Sequence, residues 1–399
     1  MPNIQTTNFT HPSYPFEQDG YEFLYCTEFT NNKSLVFVKK DSKEFFIEII
    51  KREKNYLIKA EKLTRFSPVF IIQDAIKALQ NKLNLQLNYS NIDTKKSKLL
   101  LNKDEKYLKK ISYFIQEFKP SSPIVIEIGF GSGRHLLQRA KSDPNTIHIG
   151  IEIHKPSIEQ VIKQCQLQSI ENLLILDYDA RIFLELLDTA SVKTIYLHFP
   201  VPWDKKPHRR VLSYKFLKEC QRVLVQDGRF ELRTDSENYY NYAFEVFNQF
   251  KTFDIMIRKN HQLDVSSKYE DRWKRQEKNI YDCIMINKTP DTSKRPTYDV
   301  EFEKDFYITF ESLFKNFKRE CIREENCFIN LESIYKISDT EGVLKVTLGS
   351  YNKSEHKYIL FKDKNVKYFP SNLIPVKDNL NGHKLLIKTI KDRATNVRI

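Results

Sequence analysis

The pattern of apolar and polar positions between residues 124 and 250 alternates short apolar runs with amphipathic segments. The first run, Ile124 to Ile128, breaks into a glycine-rich turn that leads into HLLQRAK, which reads as the start of a helix. This is typical of the first strand–turn–helix unit of a nucleotide-binding α/β domain. The pattern predicts strands at 147–153, 172–179, 193–200 and 228–234 and helices at 156–168, 214–224 and 239–250. It therefore predicts a doubly wound α/β sheet of Rossmann-like type.

The flanks on both sides of this segment have a different, β-rich pattern. Short aromatic and β-branched runs predict a β-meander over 21–65, followed by an amphipathic helix at 69–83, a polar connector at 88–106 and a second helix at 107–118. After a linker-like stretch near residue 290, five more runs are read as β-rich, the last of them HKLLIKTI at 383–390. We divide the chain into a β-rich N-terminal accessory region with a helical connector (1–118), an α/β domain (119–289) and a β-rich C-terminal accessory domain (290–399). A further hypothesis is that the two flanks pack together as one body.

Composition narrows the class of protein. No apolar run approaches the length of about 20 residues that a membrane span needs, and the N-terminal stretch lacks the basic and apolar regions of a secretory signal. The net charge of +13 favours a polyanionic partner such as nucleic acid. The six cysteines form no CxxC pair and no cluster with zinc-ligand spacing, so we expect free thiols, no metal and a cytoplasmic location.

The first candidate site is the glycine turn with three acids placed around it. The turn reads E-x-G-x-G-x-G rather than the G-x-G-x-x-G of a pyrophosphate-binding loop, and the leading acid, Glu127, suits a ligand with a cationic or amino-acid end, such as S-adenosylmethionine. Glu152 ends the second predicted strand, where acids accept hydrogen bonds from ribose hydroxyls. Asp179 ends the third, where it can accept from the adenine amine. The alternative for each acid is an ordinary turn or helix-cap residue. The turn glycines are Gly129, Gly131 and Gly133.

The second candidate site is the loop after the fourth predicted strand, HFPVPWDKKPHRR at 198–210. Its prolines stiffen the loop, its basic residues can meet phosphates, and Trp203 can stack on a base or anchor the loop. The alternative is a solvated basic loop with Trp203 in the core.

Together these motifs resemble the bacterial tRNA (guanine-N7-)-methyltransferases, class I enzymes that use S-adenosylmethionine. The motifs lie over residues 120–290 in the family's order. They are EIGFGSG (127–133), GIE (150–152), DA (179–180), FPVPWDK (199–205), TD (234–235) and SKYE (267–270). The resemblance implies a class I methyltransferase sheet, S-adenosylmethionine as cofactor, and tRNA as substrate with guanine 46 of the variable loop as the methylated base. It does not cover the flanking regions.

Carried over residue by residue, the resemblance implies that Glu127, Glu152 and Asp179 hold S-adenosylmethionine with the turn glycines. It implies that the substrate guanosine is contacted by Lys205, Asp235, Ser267, Lys268, Tyr269 and Glu270. Two positions depart from the family pattern. Val201 stands where the family has the aspartate of FPDPW, and Ser267 stands where it has threonine. No catalytic residue is therefore certain.

The chemistry does not require the missing aspartate. Guanine N7 carries a lone pair and no proton, so attack on a sulfonium methyl group needs no general base, and alignment can supply most of the acceleration. Nearby carboxylates stabilise the positive charge that moves onto the base. We expect Asp235 and Glu270, the catalytic candidates, to grip the Watson–Crick edge of guanine, while Asp204 can add to the field.

The sequence thus predicts a cytoplasmic enzyme, monomeric or homodimeric, that methylates N7 of a tRNA guanine. Two alternatives stay open: a non-catalytic tRNA-binding protein on a methyltransferase fold, and a methyltransferase with a substrate other than tRNA. A basic surface for tRNA is predicted from residues 258–278 and from the net basic segment 377–398. In the first of these stretches the basic residues are Arg258, Lys259, Lys268, Arg272, Lys274, Arg275 and Lys278.

Overall fold

The computed structural model describes residues 2–65, 69–92, 106–263, 270–271, 275–304, 306–351, 353–362 and 365–395. It divides into two compact units. The accessory unit consists of Met1–Leu99 together with Thr297–Ile399, and the central unit is Leu100–Pro296. The two flanks thus belong to one unit, and residues 100–118, which our division assigned to the N-terminal region, fall in the central unit.

The N-terminal part of the accessory unit is an antiparallel sheet covered by one helix. The sheet order is β2-β3-β4-β5-β6-β1-β7. The β-meander and the helix predicted over 21–83 are confirmed. The elements are β1 (Asn3–Thr6), β2 (Phe16–Gln18), β3 (Tyr21–Cys26), β4 (Lys33–Lys40), β5 (Lys43–Lys51), β6 (Tyr56–Ala60), α1 (Phe70–Leu83) and β7 (Leu87–Ser90).

The central unit holds the α/β sheet, with strand order β14-β15-β13-β12-β9-β10-β11-β8. Strands β8 to β13 pair in parallel, and β15 and β14 add an antiparallel edge. The elements are β8 (Leu108–Lys109), α2 (Ile111–Gln116), β9 (Ile124–Ile128), α3 (Arg134–Ser142), β10 (Ile147–Ile151), α4 (Lys155–Leu167), β11 (Leu173–Leu176), α5 (Ala180–Glu185), β12 (Val192–His198), α6 (Tyr214–Val223), β13 (Leu224–Thr234), α7 (Glu237–Phe247), β14 (Phe253–Lys259) and β15 (Tyr281–Asn287). The Rossmann-like fold class is confirmed.

The two faces of this sheet differ in character because side chains alternate along each strand. One face is apolar and packs beneath α2, α5, α6 and α7; Ile126, Leu197 and Phe230 are fully or almost fully buried there. On the opposite face, α3 and α4 cover the part formed by β10 and β11. Toward β12, β13 and β15 that same face carries buried polar side chains instead, and these adjoin the site described below.

The C-terminal part of the accessory unit begins with α8 (Phe310–Lys315) and continues into an antiparallel sheet of β16 (Glu320–Arg323), β17 (Phe328–Lys336), β18 (Gly342–Gly349), β19 (Ser354–Lys362) and β20 (Asn365–Phe369). Its aromatic residues meet those of the N-terminal sheet: Phe46 lies 5.1 Å from Tyr358 and 5.3 Å from Phe369 between ring centroids. A shared buried core therefore joins the two flanks, as hypothesised.

One prediction for this region is wrong. The run at 383–390 is not β-rich but lies within a long helix, α9 (Lys377–Thr395). The buried residues Leu386, Ile390 and Ala394 recur at the spacing of a helix face and pack against the C-terminal sheet. A short apolar run alone does not distinguish a strand from a buried helix segment, and the helical period shows only when residues on both sides are included.

Candidate active site

The carboxyl ends of the parallel strands lie level at one edge of the central sheet. Ile128 pairs in register with Ile151 on one side and with Leu197 on the other. Ile151 in turn pairs with Leu176, and Leu197 with Leu232. The segments that follow these strands therefore emerge side by side, and this edge is where ligands bind in parallel α/β sheets.

The glycine loop leaves room for a ligand at this edge. Gly129 has φ +70°, and a Cβ at this position would meet no atom within 4 Å, so the backbone faces open space. At Gly133, with φ +71°, a Cβ would lie 2.2 Å from Val161 of α4, so the loop closes against that helix. Only glycine satisfies both the left-handed backbone and the close packing there.

Glu152 braces the glycine loop from the neighbouring strand. Its carboxylate accepts the backbone N–H of Gly131 at 3.0 Å, and its other oxygen accepts the N–H groups of Ile153 and His154 at 2.8 and 3.0 Å. The side chain of Ile153 beside it is 74% exposed, which gives the edge an apolar face next to the carboxylate. A ribose and a base need this combination of acceptor and apolar surface.

Asp179 caps α5 and is tied to Arg181. Its Oδ1 accepts the Arg181 backbone N–H at 2.9 Å, and the Arg181 guanidinium donates to both carboxylate oxygens at 3.0 and 2.7 Å. The cap that we weighed as the alternative role is therefore present. An adenine amine contact at Asp179 is not preformed, because the guanidinium occupies the carboxylate.

Glu127 is buried below the glycine loop and faces His135 of α3. Glu127 Oε2 lies 2.7 Å from His135 Nδ1, and since a carboxylate only accepts, Nδ1 carries the proton. His135 Nε2 then accepts from Arg139 Nε at 3.4 Å. The arrangement holds the Glu127 carboxylate in a fixed orientation at the end of β9.

The polar part of the sheet face continues from His135 to a second imidazole–carboxylate pair. His198 at the end of β12 lies 4.8 Å from His135 between ring centroids, with the ring planes tilted by 49°, and donates to Glu231 Oε1 at 3.1 Å. Burial raises the pKa of Glu231, but the hydrogen bond and charge of His198 and the charge of Arg229 outweigh it and lower the pKa to about 2. Glu231 is therefore a carboxylate at neutral pH.

The loop at 199–210 is braced from within and exposes its basic residues. Phe199 and Trp203 both have φ +49°, a left-handed conformation that costs energy for bulky side chains and is found at functional loops. Arg210 is buried: its Nε donates to the Pro202 carbonyl at 2.7 Å, and its guanidinium lies 4.6 Å from the Tyr242 ring centroid. Arg210 thus holds the loop rather than meeting phosphates. The residues that remain exposed are Val201, Trp203, Asp204, Lys205, Lys206, Pro207, His208 and Arg209.

Trp203 is not part of the core, so the alternative that we weighed for it is wrong. Its side chain is 36% exposed, and the Arg209 guanidinium lies 5.0 Å from the ring centroid. An aromatic ring with a cation stacked on it is a surface on which a base or a phosphate group can dock.

The end of β13 carries the TD motif and a buried ion cluster. Asp235 is partly exposed and pairs with Lys278 at 2.9 Å. Two residues earlier in the chain, the fully buried Arg233 donates to Asp282 Oδ1 at 2.6 Å and to Glu270 Oε1 at 3.0 Å. Burial raises the pKa of Asp282, and the charge of Arg233 opposes this shift. Arg233 also donates to the His261 carbonyl at 2.7 Å.

Glu270 and its neighbour Asp271 form ion pairs with residues of β13 and α3. Glu270 is 1% exposed against Arg233, while Asp271 pairs with Arg134 at the start of α3 at 2.6 Å. The end of the SKYE motif is thus tied both to β13 and to the helix that follows the glycine loop. The predicted site residues Ser267, Lys268 and Tyr269 lie outside the described residues, as do Arg272, Trp273 and Lys274.

Sequence reasoning did not identify the buried residues His135, His198, Glu231, Arg233 and Asp282. The sequence pattern could have identified two of these residues. Glu231 and Arg233 alternate with Phe230 and Leu232 along β13, so one face of this inner strand is charged where a doubly covered parallel strand is expected to be apolar on both faces.

The edge fits S-adenosylmethionine in two respects. Gly129 leaves open the space that a Cβ would fill, and the carboxylates of Glu127 and Glu152 lie beside the loop, which suits a ligand with a sulfonium and an amino group. Among the described residues no group of three or more His, Cys, Asp or Glu side chains is arranged to hold a metal ion. No described helix combines the length and apolar character that crossing a membrane requires. All six cysteines are free thiols.

The parallel sheet, the glycine loop and the antiparallel β14–β15 edge define an α/β methyltransferase. A family model described as "Putative methyltransferase" matches residues 121–283. Curated relatives named tRNA (guanine-N(7)-)-methyltransferase match nearly the whole chain. The protein from Wolinella succinogenes is 41% identical to this chain, and the match covers 97% of this chain and 99% of the relative. The proteins from Campylobacter jejuni (strain RM1221) and Helicobacter hepaticus are each 38% identical, and each match covers 98% of this chain and 99% of the relative. The chain belongs to the tRNA (guanine-N(7)-)-methyltransferase family.

Solved methyltransferase structures match less than half of the chain at low identity. One titled "Structure of an Antibiotic Related Methyltransferase" is 21% identical, with a TM-score of 0.32, and covers 47% of this chain and 96% of its own. The 16S rRNA methyltransferase KamB is 14% identical, with a TM-score of 0.33, and covers 44% of this chain and 91% of its own.

Proposed function

We propose that this enzyme transfers a methyl group from S-adenosylmethionine to N7 of a guanine in tRNA, and that the guanine is position 46 of the variable loop. The observation that carries the proposal is the convergence of the glycine loop, Glu152, the 199–210 loop and Asp235 on one sheet edge, in a chain similar to these enzymes over nearly its full length. The reaction is proposed for the cytoplasm, where tRNA is found.

The cofactor would be held by Glu127 and Glu152 around the open space at Gly129, with Ile153 against the adenine. When bound, it supplies a methyl group on a positively charged sulfur. Asp179 would receive the adenine amine only after the Arg181 guanidinium moves, so we propose that cofactor binding displaces Arg181 from this carboxylate.

The chain's own residues place the guanine and stabilise charge. N7 attacks the methyl carbon with its lone pair as the bond from that carbon to sulfur breaks, and the positive charge passes to the base without any proton transfer. Val201, 60% exposed in place of the family aspartate, is compatible with this chemistry because no base is needed. We propose that Asp235 accepts from N1–H and N2–H₂ of guanine after releasing Lys278, and that Lys205 binds a phosphate nearby.

The proposed role of Glu270 is tied to Arg233. We expected Glu270 to grip the guanine together with Asp235. Because its carboxylate is buried on the Arg233 guanidinium, we propose that Glu270 acts mainly by fixing the substrate segment against β13, where Asp235 begins the next turn. This leaves Asp235 as the main carboxylate for the Watson–Crick edge.

The test is methyl transfer from labelled S-adenosylmethionine to unmodified tRNA. Asp235→Ala should lower kcat/KM for tRNA by about 100-fold, as expected for the loss of charge-assisted hydrogen bonds in a closed site. Cofactor affinity should be unchanged. Asp254→Ala on the exposed edge strand β14 is the matched control and should retain wild-type kinetics. Wild-type turnover in Asp235→Ala would refute the role of this residue.

A further inference from the structure

We propose that the solvent face of α9 in the accessory unit binds the sugar–phosphate backbone of the tRNA substrate. This inference rests on the proposed function and assigns a task to the unit that the catalytic site does not use. The surface is the lysine row, which we define as Lys377, Lys384, Lys388 and Lys391, all exposed.

The four lysines lie on one face of one helix. They follow Lys377 by 7, 11 and 14 positions, so at about 100° per residue they fall within roughly 60° of one another, and at about 1.5 Å per residue the row is about 21 Å long. The opposite face, with Leu386 and Ile390, is fully buried against the C-terminal sheet. The helix therefore cannot rotate, and the row is presented rigidly.

Like charges are neighbours along the row. The like-charged pair Lys384 and Lys388 has spacing i,i+4, and Lys388 and Lys391 have spacing i,i+3, arrangements that destabilise a helix. Of the two acids on α9, Asp378 is buried, and the exposed Asp392 follows Lys388 by four positions. On α4, by contrast, exposed Glu159 stands between exposed Lys155 and Lys163. A polyanion laid along the row removes the repulsion that the helix otherwise carries.

Two contacts fix the ends of the row and extend it. Lys377 lies 5.9 Å from the Tyr298 ring centroid, and Lys391 lies 5.5 Å from that of Phe306. At the last turn, Arg393 pairs with Glu320 at 2.6 Å and donates to the backbone carbonyl of Lys318 at 2.7 Å. Lys318 and the next residue, Arg319, are exposed, so the positive surface continues beyond the helix end.

The chemistry of the face favours RNA over a lipid surface. A helix that lies on a membrane needs exposed large apolar side chains beside its cations. On α9 the large apolar residues are buried or half-buried, and the exposed positions are polar or charged. The relatives from Wolinella and Campylobacter, both named tRNA methyltransferases, align across 97% and 98% of this chain, so these alignments extend well beyond the central unit.

The experiment compares two triple variants of the full chain with equal loss of charge. Lys384→Gln/Lys388→Gln/Lys391→Gln neutralises the row, and Lys51→Gln/Lys54→Gln/Lys62→Gln neutralises three exposed lysines of the N-terminal sheet as a control. Binding of unmodified tRNA is measured against salt concentration, together with steady-state methylation. Each lost phosphate contact should lower the slope of log K against log salt by roughly 0.7–0.9, so the row variant should lose about 2 to 3 units.

For the row variant we expect KM for tRNA to rise at least tenfold, with kcat at saturating tRNA and cofactor affinity unchanged. In the control variant, the slope of log K against log salt should fall by no more than one third of the fall seen in the row variant. Equal slopes in the two variants would overturn the proposal. A second contradicting result is that the wild type binds phosphatidylserine vesicles, and that the row variant loses this binding but binds tRNA as the wild type does. If the wild type binds tRNA through the row but transfers no methyl group to it, the proposed function fails and the surface assignment stands.

Discussion

Replacing Arg233 with glutamine removes the guanidinium that two buried carboxylates share. Glu270 and Asp282 are 1% and 2% exposed, so neither reaches water to compensate for the lost charge. Breaking a buried ion pair in this way costs about 3–5 kcal/mol, since an uncompensated charge is left inside the protein. For a unit of 150–250 residues, each kcal/mol lowers the melting temperature by roughly 2–4 °C, which predicts a fall of about 6–20 °C.

The assay is thermal unfolding followed by tryptophan fluorescence. Both tryptophans, Trp203 and Trp273, belong to the central unit, so the signal reports this unit rather than the accessory unit. Arg134→Gln is the matched control, because it removes an arginine–aspartate pair whose partners are 48% and 42% exposed. A pair this exposed contributes about 0–1 kcal/mol. The control should therefore unfold within a few degrees of the wild type.

A second comparison separates charge from packing. The triple variant Arg233→Met/Glu270→Gln/Asp282→Asn removes all three charges together, and we expect it to recover part of the stability lost in Arg233→Gln, because no unpaired charge remains. If Arg233→Gln unfolds at the wild-type temperature, or if the triple variant is less stable than the single one, the reasoning about this cluster is wrong.

The remaining predictions concern the cofactor, the substrate and acid stability. Glu152→Gln should raise the Kd for S-adenosylmethionine about tenfold or more in calorimetric titration, because a charged acceptor is lost, whereas Glu159→Gln on the exposed face of α4 should not change it. Val201→Asp should change kcat less than Asp235→Ala does, since the reaction needs no base; a large gain in kcat would contradict this. His148, whose ring nitrogens are buried without a hydrogen-bond partner among the described residues, has its pKa lowered from 6.5 to about 4 by burial. Its neutral form therefore supports the fold fully above pH 6.5, and about 3 kcal/mol is lost as pH falls toward 4; urea unfolding of His148→Leu should show a smaller loss over that range.

The sequence was sufficient for the parts of the fold that depend on local pattern. Strands β9 to β12 are short and mainly apolar, and register alone then brings Glu152 and the glycine loop to one edge, as predicted. The sequence was insufficient for contacts between residues that lie far apart along the chain. Arg233 meets Glu270 and Asp282, which are 37 and 49 residues away, and no local period announces such a pairing. We did not predict the edge strands β14 and β15, because the last element that we assigned to the sheet domain was the helix at 239–250, which precedes both strands.

Two site assignments show the same limit. Asp179 follows a predicted strand, but its ties to Arg181 depend on how α5 begins, and the sequence pattern does not show this. Arg210 stands in a run of basic residues that reads as a phosphate-binding surface, yet two tyrosines of α7 enclose its guanidinium. Charge in the sequence therefore located the loop correctly but did not distinguish its bracing cation from its exposed ones.

The most direct measurement maps the methylated base. Unmodified tRNA is incubated with the enzyme and S-adenosylmethionine, then treated with borohydride and aniline, which cleave the strand at 7-methylguanine. We expect one cofactor-dependent cleavage, at the guanine of position 46 in the variable loop. Incorporation of labelled methyl groups without any strand cleavage at a guanine would contradict it.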